Sequence, residues 1–427
     1  MSLQSVLNLR HLRAFSLTAR YNSVKRAAVE ICLSQPAVTQ AVTKLEKEFK
    51  VSFFDRTSTG MFCSEFGRIF LNRVDRALDI LARCISEAAA DGKSSPPRDP
   101  LNLITNAQFR VLTVFSESNN LEFGAEALGI SLLSIQRTVM ALERSVGTRL
   151  FVQSSRSSAL TMAGESLVRG AKLAIREIEL AADEIENLRG YKTGRIVIGA
   201  MPLARVDLVP RAVTALLRTY PDVRVRITEG PYTSLISGLR SGDIDVVVGA
   251  LRNGSVPNDI EERELFTDPL SIAVRSSHPL CRYDSISLAD TIGYPWVVPP
   301  MGTPTRTIFH EVFRSRALME PRRLVEVSSN VSLRAFLVES DRIAFVSRRQ
   351  IDYEERHGSI KMLPIDLPEA SRPIGLALRK HWQPTTAQTE LLRLLGEAGD
   401  LDRQAPKEQM DPAGVRKTRT GVFPARG

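Results

Sequence analysis

The sequence predicts a multidomain chain: two small α-rich units, each running into a long helix, followed by one α/β domain. Three observations predict this class. The first half repeats itself at an offset of about 97 positions. Composition breaks at Asp91–Pro100 (DGKSSPPRDP), around Gly190–Gly194 and after Gly399 divide the chain. From Arg195 onward short apolar runs alternate with helical spacings. A length of 427 residues accommodates several domains with real cores.

Charge and composition bound the function. There are 57 Lys and Arg against 48 Asp and Glu, a net +9 with a pI near 9.6. That balance favours a polyanionic partner, although a solvated, self-repelling surface explains the number equally well. Cys32, Cys63, Cys84 and Cys281 are far apart, and the five histidines are scattered. Neither a disulfide framework nor a metal site is expected, and no cofactor. The first residues lack a signal-peptide pattern, and no apolar run approaches the roughly 20 residues that span a bilayer. The expectation is a cytoplasmic chain with no membrane partner. No GxSxG, Walker A, HExxH or dinucleotide fingerprint occurs, and Asp243 and Asp245 lack metal partners, so no catalytic residue and no enzyme is expected.

The elements follow in order. Ser23–Ile31 predicts a short helix whose Ala27 and Ala28 let a second helix approach closely. Cys32–Leu33 is a turn. Ser34 is a good N-cap and Pro36 sits in the first turn, where its missing N–H costs little. Val38, Ala41, Val42 and Leu45 recur at helical spacing and predict a buried face. Gln35, Thr39 and Thr43 line the opposite side, with Pro36 and Gln40 at its flank. Amides and hydroxyls can hydrogen-bond base edges in a major groove; an ordinary solvated face is the competing explanation. Phe53–Phe62 predicts a hairpin around a Ser-Thr-Gly turn. It offers Arg56 to a minor groove or a phosphate, with Thr57 and Ser58 as phosphate donors. Val74, Leu78, Leu81 and Ile85 then form a heptad-like seam suited to another helix.

These blocks carry a resemblance. LRAF (12–15), KRAA (25–28), SQPAVTQAVTKLE (34–46), VSFFDRT (51–57) and Gly67 resemble the winged helix-turn-helix of LysR-type transcriptional regulators. The resemblance implies that Gln35, Pro36, Thr39 and Gln40 lie at the DNA and that Arg56 is the wing arginine. Thr39 stands where serine is usual, and Cys63-Ser64 where Leu-Thr is usual.

The second copy departs further. Its helix reads SLLSIQRTVMALE (131–143), with Leu132 and Leu133 in place of Gln35 and Pro36, Met140 in place of Thr43, and Gln153 in place of Arg56. The inward set Ile135, Thr138, Val139 and Leu142 preserves the fold. Exposed apolar groups on the outer face suggest protein contact, while Gln136 and Arg137 could still bind DNA. The first copy is therefore expected to read the operator, and the second to be structural or weakly DNA-binding. Ala174, Ile178, Ala181, Ile185 and Leu188 form a second seam, which resembles the family's dimerising linker helix. A homodimer, or a homotetramer, would present its heads to two half-sites.

The last domain alternates strands (Arg195–Ala200, Val223–Thr228, Asp245–Ala250) with helices (Leu208–Thr219, Ser234–Ser241). Further runs follow at Leu270–Val274, Trp296–Val298, Thr305–Ala317, Leu324–Val327, Ser332–Glu339, Ile343–Val346 and Ile374–Arg379. Ligands of open α/β sheets bind beyond the strand ends, at helix N-termini. Four loops fit: Met201-Pro202-Leu203, Gly230–Thr233 with Tyr232 and Thr233, Gly302–Thr305 with Thr303, and Ser328–Asn330 with Ser329 and Asn330. Ordinary caps and turns use the same residue types. GRIVIGAMPLARVDLVPRAV and LISGLRSGDIDVVVGAL are similar to the LysR effector domain. PMGTPTR, VEVSSN and SDRIAFVSRRQI resemble the branch that includes galactose-binding-protein regulators. The resemblance implies two periplasmic-binding-protein-like subdomains, crossed twice by the chain, with a metabolite in the cleft.

The expected organisation is a winged helix-turn-helix over 7–64, a helix over 65–90, a linker over 91–100 and a degenerate winged helix-turn-helix over 101–162. A dimerisation helix over 163–190, an effector domain over 194–395 and a disordered basic tail over 400–427 complete it. The expected function is a sequence-specific regulator of double-stranded DNA controlled by a small-molecule effector. The alternative is a cytoplasmic small-molecule sensor acting through protein contacts.

Overall fold

The computed structural model describes residues 8–57, 60–90, 99–118, 120–153, 158–252 and 254–400. Most of the expected linker (91–98), residue 7, Ser58, the Arg56 side chain and the tail (401–427) lie outside the described residues.

The first unit comprises α1 (Leu9–Tyr21), α2 (Val24–Glu30), α3 (Gln35–Phe49) and a hairpin of β1 (Phe54–Thr57) and β2 (Gly60–Cys63). It runs into α4 (Glu65–Ala90). The side chains of Asn8, Ser23 and Ser34 accept the free N–H groups that begin α1, α2 and α3. Cys32, at a φ of 54°, reverses the chain between α2 and α3. Phe53 stacks on Phe70 with ring centroids 4.4 Å apart, and Phe15 packs edge-on against both.

The second unit has α5 (Asn106–Ser118), α6 (Leu121–Leu128), α7 (Leu132–Val146), β3 (Phe151–Gln153), β4 (Ser158–Leu160) and α8 (Met162–Leu188). Its local bonds repeat those of the first. Glu46 accepts the Phe53 N–H at 2.8 Å, and Glu143 accepts the Leu150 N–H at 2.8 Å. A Cβ on Gly67 would lie 2.0 Å from the Phe53 carbonyl oxygen, and one on Gly164 2.1 Å from that of Leu150. Both glycines let the long helix start directly against the strand.

The long helices α4 and α8 pack antiparallel. Arg73 meets Glu177 and Glu184 at one end, and Glu87 meets Ser166 at the other. Val74, Leu78, Leu81 and Ile85 are buried in one core with Ala174, Ile178, Ala181 and Ile185. The second seam, expected to resemble a dimerising helix, packs here against α4. A heptad pattern specifies burial against a helix without specifying whose helix. Leu188, assigned to the seam, is 38 % exposed, because the helix ends there. Thr138 is only half-buried and donates to the Ser134 carbonyl at 2.8 Å.

The third domain is one sheet in the strand order Leu324–Glu326, Trp296–Val298, Ile343–Ser347, Ile260–Arg275, Ser371–Arg379, Val246–Ala250, Thr193–Ala200, Asp222–Thr228, with Ile360–Met362 also beside Ile260–Arg275. β5 (Thr193–Ala200) runs parallel to β6 (Asp222–Thr228) and β7 (Val246–Ala250). Around them lie α9 (Pro202–Val206), α10 (Leu208–Thr219) and α11 (Tyr232–Ser241). β8 (Ile260–Arg275) and β13 (Ser371–Arg379) are antiparallel partners that carry the chain into and out of a second subdomain. That subdomain holds β9 (Trp296–Val298), α12 (Pro304–Ser315), β10 (Leu324–Glu326), α13 (Asn330–Val338), β11 (Ile343–Ser347), α14 (Arg348–Arg356) and β12 (Ile360–Met362). α15 (Thr386–Asp400) returns to pack beside Leu216 and Leu376. Each subdomain has its own core, one around Ile198 and Val248, the other around Trp296, Phe309 and Phe313.

Sequence periodicity misses several pieces, β12 and α15 among them. β8 begins ten residues before the expected Leu270, because exposed Glu261, Arg263 and Glu264 dilute its apolar face. α14 is almost wholly charged and buries only Gln350 and Ile351. The expected loop Met201-Pro202-Leu203 instead opens a short helix, Pro202–Val206, started by proline.

Candidate nucleic-acid interface and effector cleft

α3 divides its residues cleanly. Val38, Ala41, Val42 and Leu45 face α1 and α2 and are buried. Gln35, Pro36, Thr39, Gln40 and Thr43 are all exposed. The side presented therefore carries two amides and two hydroxyls, starting at a positively polarised helix N-terminus. Lys44 and Lys47 on the same helix, and Lys25 and Arg26 at the start of α2, also reach solvent. The sequence reading passed over these four cations; their signal was basic residues at solvent positions next to the amide face. On the hairpin, Arg56 pairs in register with Met61. Thr57 is exposed, and its hydroxyl donates to the Gly60 carbonyl at 3.2 Å.

The corresponding surface of α7 is different. Leu133 is 65 % and Met140 52 % exposed, while Gln136 is half-buried. Arg137, Arg144 and Arg149 line a shallow depression around Met140, together with Glu143. Large apolar groups thus share the face with three cations.

α8 ends where the third domain begins. There Arg189 donates to the Phe49 carbonyl at 3.2 Å and also to that of Lys50, at the C-terminus of α3. Asp183, near this junction, accepts the Arg195 N–H. Burial pushes its carboxyl up to about 6, against the opposing pull of Arg176.

The structure brings the tips of the expected ligand loops together in pairs across the two subdomains. Asn330 donates to the Pro202 carbonyl at 2.9 Å and accepts from Gln350 at 2.8 Å. Arg252 stacks 4.2 Å above the Tyr232 ring and donates to the Gly302 carbonyl at 2.6 Å. Thr233 and Ser329 are exposed, and Thr303 and Ser329 cap α12 and α13. Met201 and Pro202 are half-buried beside the tips. Leu203 does not belong with them. It is 3 % exposed and lies in the core of the first subdomain, because the second position of α9 points at the sheet. Sequence reasoning missed Arg252, which crosses the cleft to the Gly302 carbonyl, and Gln350, which orients Asn330 from within the second subdomain.

Where the chain crosses between subdomains, the Asp268 carboxylate is buried. It accepts from Ser347 at 2.6 Å and from Arg372 at 3.1 Å. Burial raises this carboxyl, and the Arg372 guanidinium opposes the rise. The cluster ties β8, β11 and β13 at the hinge position.

Comparison with known proteins follows this division of the chain. The family model for bacterial regulatory helix-turn-helix proteins of the lysR family matches residues 9–68 and 107–165, and the LysR substrate binding domain matches 189–400. The HTH-type transcriptional regulator GalR of Pseudomonas putida is 31 % identical over 389 residues, covering 90 % of this chain and 96 % of that protein. The HTH-type transcriptional regulator GbpR of Azospirillum brasilense is 24 % identical over 325 residues, 75 % of this chain and 95 % of that one. A full-length OxyR variant from Pseudomonas aeruginosa shares the fold at a TM-score of 0.52 and 21 % identity, covering 70 % of this chain and 95 % of that chain.

Proposed function

The chain belongs to the LysR family of DNA-binding transcriptional regulators with a C-terminal effector-binding domain, and from that premise we propose how its parts divide the work. α3 enters the major groove of an operator. Gln35, Thr39, Gln40 and Thr43 meet base edges, Pro36 fixes the first turn, and Arg56 and Thr57 on the hairpin hold the flanking backbone. The observation that carries this reading is the exposure of the whole polar set of α3 beside a fully buried apolar set.

Residues 101–162 form a second, degenerate winged helix-turn-helix. Its support is the recurrence of the Glu46–Phe53 and Gly67–Phe53 contacts at Glu143–Leu150 and Gly164–Leu150. The GalR match also covers too much of the chain to omit either unit. Leucines and a methionine replace the base-reading groups, so this unit contributes position and phosphate contact through Arg137, Arg144 and Arg149. The effector is a small molecule held between the subdomains by Met201, Pro202, Tyr232, Thr233, Thr303, Ser329 and Asn330, with Arg252 as an added cation. Self-association into homodimers or homotetramers then falls to surfaces outside the α4–α8 seam. The alternative, a sensor that acts only through protein contacts, is favoured by the apolar face of α7 alone.

Footprinting of the full-length protein on its own promoter region tests the assignment. Gln35→Ala removes sequence-specific protection, and Gln136→Ala leaves it. The reverse result refutes the division between the two units.

A further inference from the structure

The pairing of α4 with α8 has charge specificity. Arg73, 2 % exposed at its side chain, donates to Glu177 at 2.9 Å and to Glu184 at 3.0 Å. Arg76 adds bonds of 3.2 and 3.3 Å to Glu177. At the other end the helices touch so closely that a Cβ on Gly170 would lie 2.6 Å from the Cys84 sulfur.

The repeat offset shows what other pairings would do. In the same antiparallel register, α4 against a second α4 sets Ile80 and Glu87 where Glu177 and Glu184 stand. Arg73 and Arg76 then lose their buried carboxylate. α8 against a second α8 sets Gly170 and Leu173 where Arg73 and Arg76 stand, which strands Glu177 in an apolar interface. A buried unpaired charge is strongly unfavourable, so only the mixed pair satisfies both helices. The pseudo-twofold relation extends to the start of each unit. Leu9 donates its N–H to Asn106, its own counterpart 97 positions on.

The connection between the two units favours pairing within one chain. Asp99 and Asn102, only nine and twelve positions after the last residue of α4, are already fixed to Arg13 of the first unit. A tether this short gives an effective concentration in the millimolar range, above that of a second chain. Each helix carries its unit at its N-terminus, and antiparallel packing puts those ends apart. At 1.5 Å per residue the pair is about 40 Å long, close to the ~34 Å between successive major-groove faces.

We propose that a single chain is by itself a two-headed DNA-binding unit, with α4 and α8 paired in cis. One head reads base sequence through α3. The other grips the backbone one turn away through the arginines around α7, so one chain occupies an asymmetric site whose second half lacks sequence preference. This rests on the reading of residues 101–162 as a second head, and the test separates the two claims.

Cys84 on α4 lies against Gly170 on α8, one helical turn from Ser166, and this close approach supplies the probe. Full-length protein carries Cys32→Ser, Cys63→Ser and Cys281→Ser together with Ser166→Cys, and is oxidised with copper phenanthroline. The expected product is an internal disulfide in a species of single-chain mass, seen by peptide mapping and a non-reducing gel. A doubled mass overturns pairing in cis, and absence of any disulfide joining Cys84 to position 166 overturns the register. The oxidised chain is then footprinted on operator DNA. Two protected patches one turn apart, with only one sensitive to base substitution, are expected. A single patch on a cis-linked chain refutes the second head while leaving the pairing intact.

Discussion

Replacing Arg73 by leucine removes the cation at the centre of the α4–α8 contact. Its guanidinium makes bonds to Glu184, to Glu177 and to the Gln383 carbonyl of the third domain, the last at 3.0 Å. Glu184 is 23 % exposed and rehydrates when the arginine goes, whereas Glu177, at 7 %, does not. Stranding one member of a buried pair costs about 3–5 kcal/mol. Arg76 stays on Glu177 at 3.2 Å, which sets the expectation at the lower end. A loss of about 3 kcal/mol is roughly a hundredfold in the opening equilibrium. Hydrogen exchange followed by mass spectrometry reads it directly. Amides of α4 and α8 should exchange roughly a hundredfold faster in Arg73→Leu, while those of β9 and β11 in the distant subdomain stay unchanged. Exposed ion pairs contribute only about 0.2–1 kcal/mol. A change below about fivefold would place Arg73 in that class and remove the charge argument for the mixed helix pair.

Three other outcomes follow from named contacts. Gly164→Ala forces a methyl group onto the Leu150 carbonyl and Gly67→Ala onto that of Phe53; each should destabilise its unit by about 1–3 kcal/mol in thermal unfolding, and equal stability to the parent would contradict the close approach. Asp183 has its carboxyl raised to about 6 from 3.8, so the folded state binds a proton more tightly than the unfolded one and loses stability as pH rises through that range. Asp183→Asn should raise stability by about 2–3 kcal/mol at pH 8, with the gain fading below about pH 6 and gone by about pH 4, as urea titrations at several pH values would register. Arg56→Ala should weaken operator binding across sequences and lower the log–log salt slope by about one, measured by fluorescence anisotropy; an unchanged slope would exclude a phosphate contact.

Local chemistry made the first unit legible. Ser34, Pro36 and the Val38–Leu45 spacing fixed the start and the buried side of α3, so the exposed positions followed by elimination of the inward ones. The α/β alternation was equally plain wherever strands were buried on both faces, as in Val246–Ala250. It faded where one face was charged, as in residues 260–269, and where a helix buried only two residues, as in α14. The cleft was half visible. Caps such as Thr303 and Ser329 announce helix starts, but a cap does not say which other tip it will meet.

By itself the sequence determined the repeat, the heptad seams and the polar face of α3, because each is a matter of spacing along one helix. Tertiary structure decided which seam meets which. Arg73 and Glu177 are 104 positions apart, and nothing near either one marks the other as its partner. The same holds for Asn330 and Pro202, 128 positions apart across the cleft. Periodicity records which side of a helix leaves water, but the identity of the surface that replaces the water is settled only when distant segments compete to cover it.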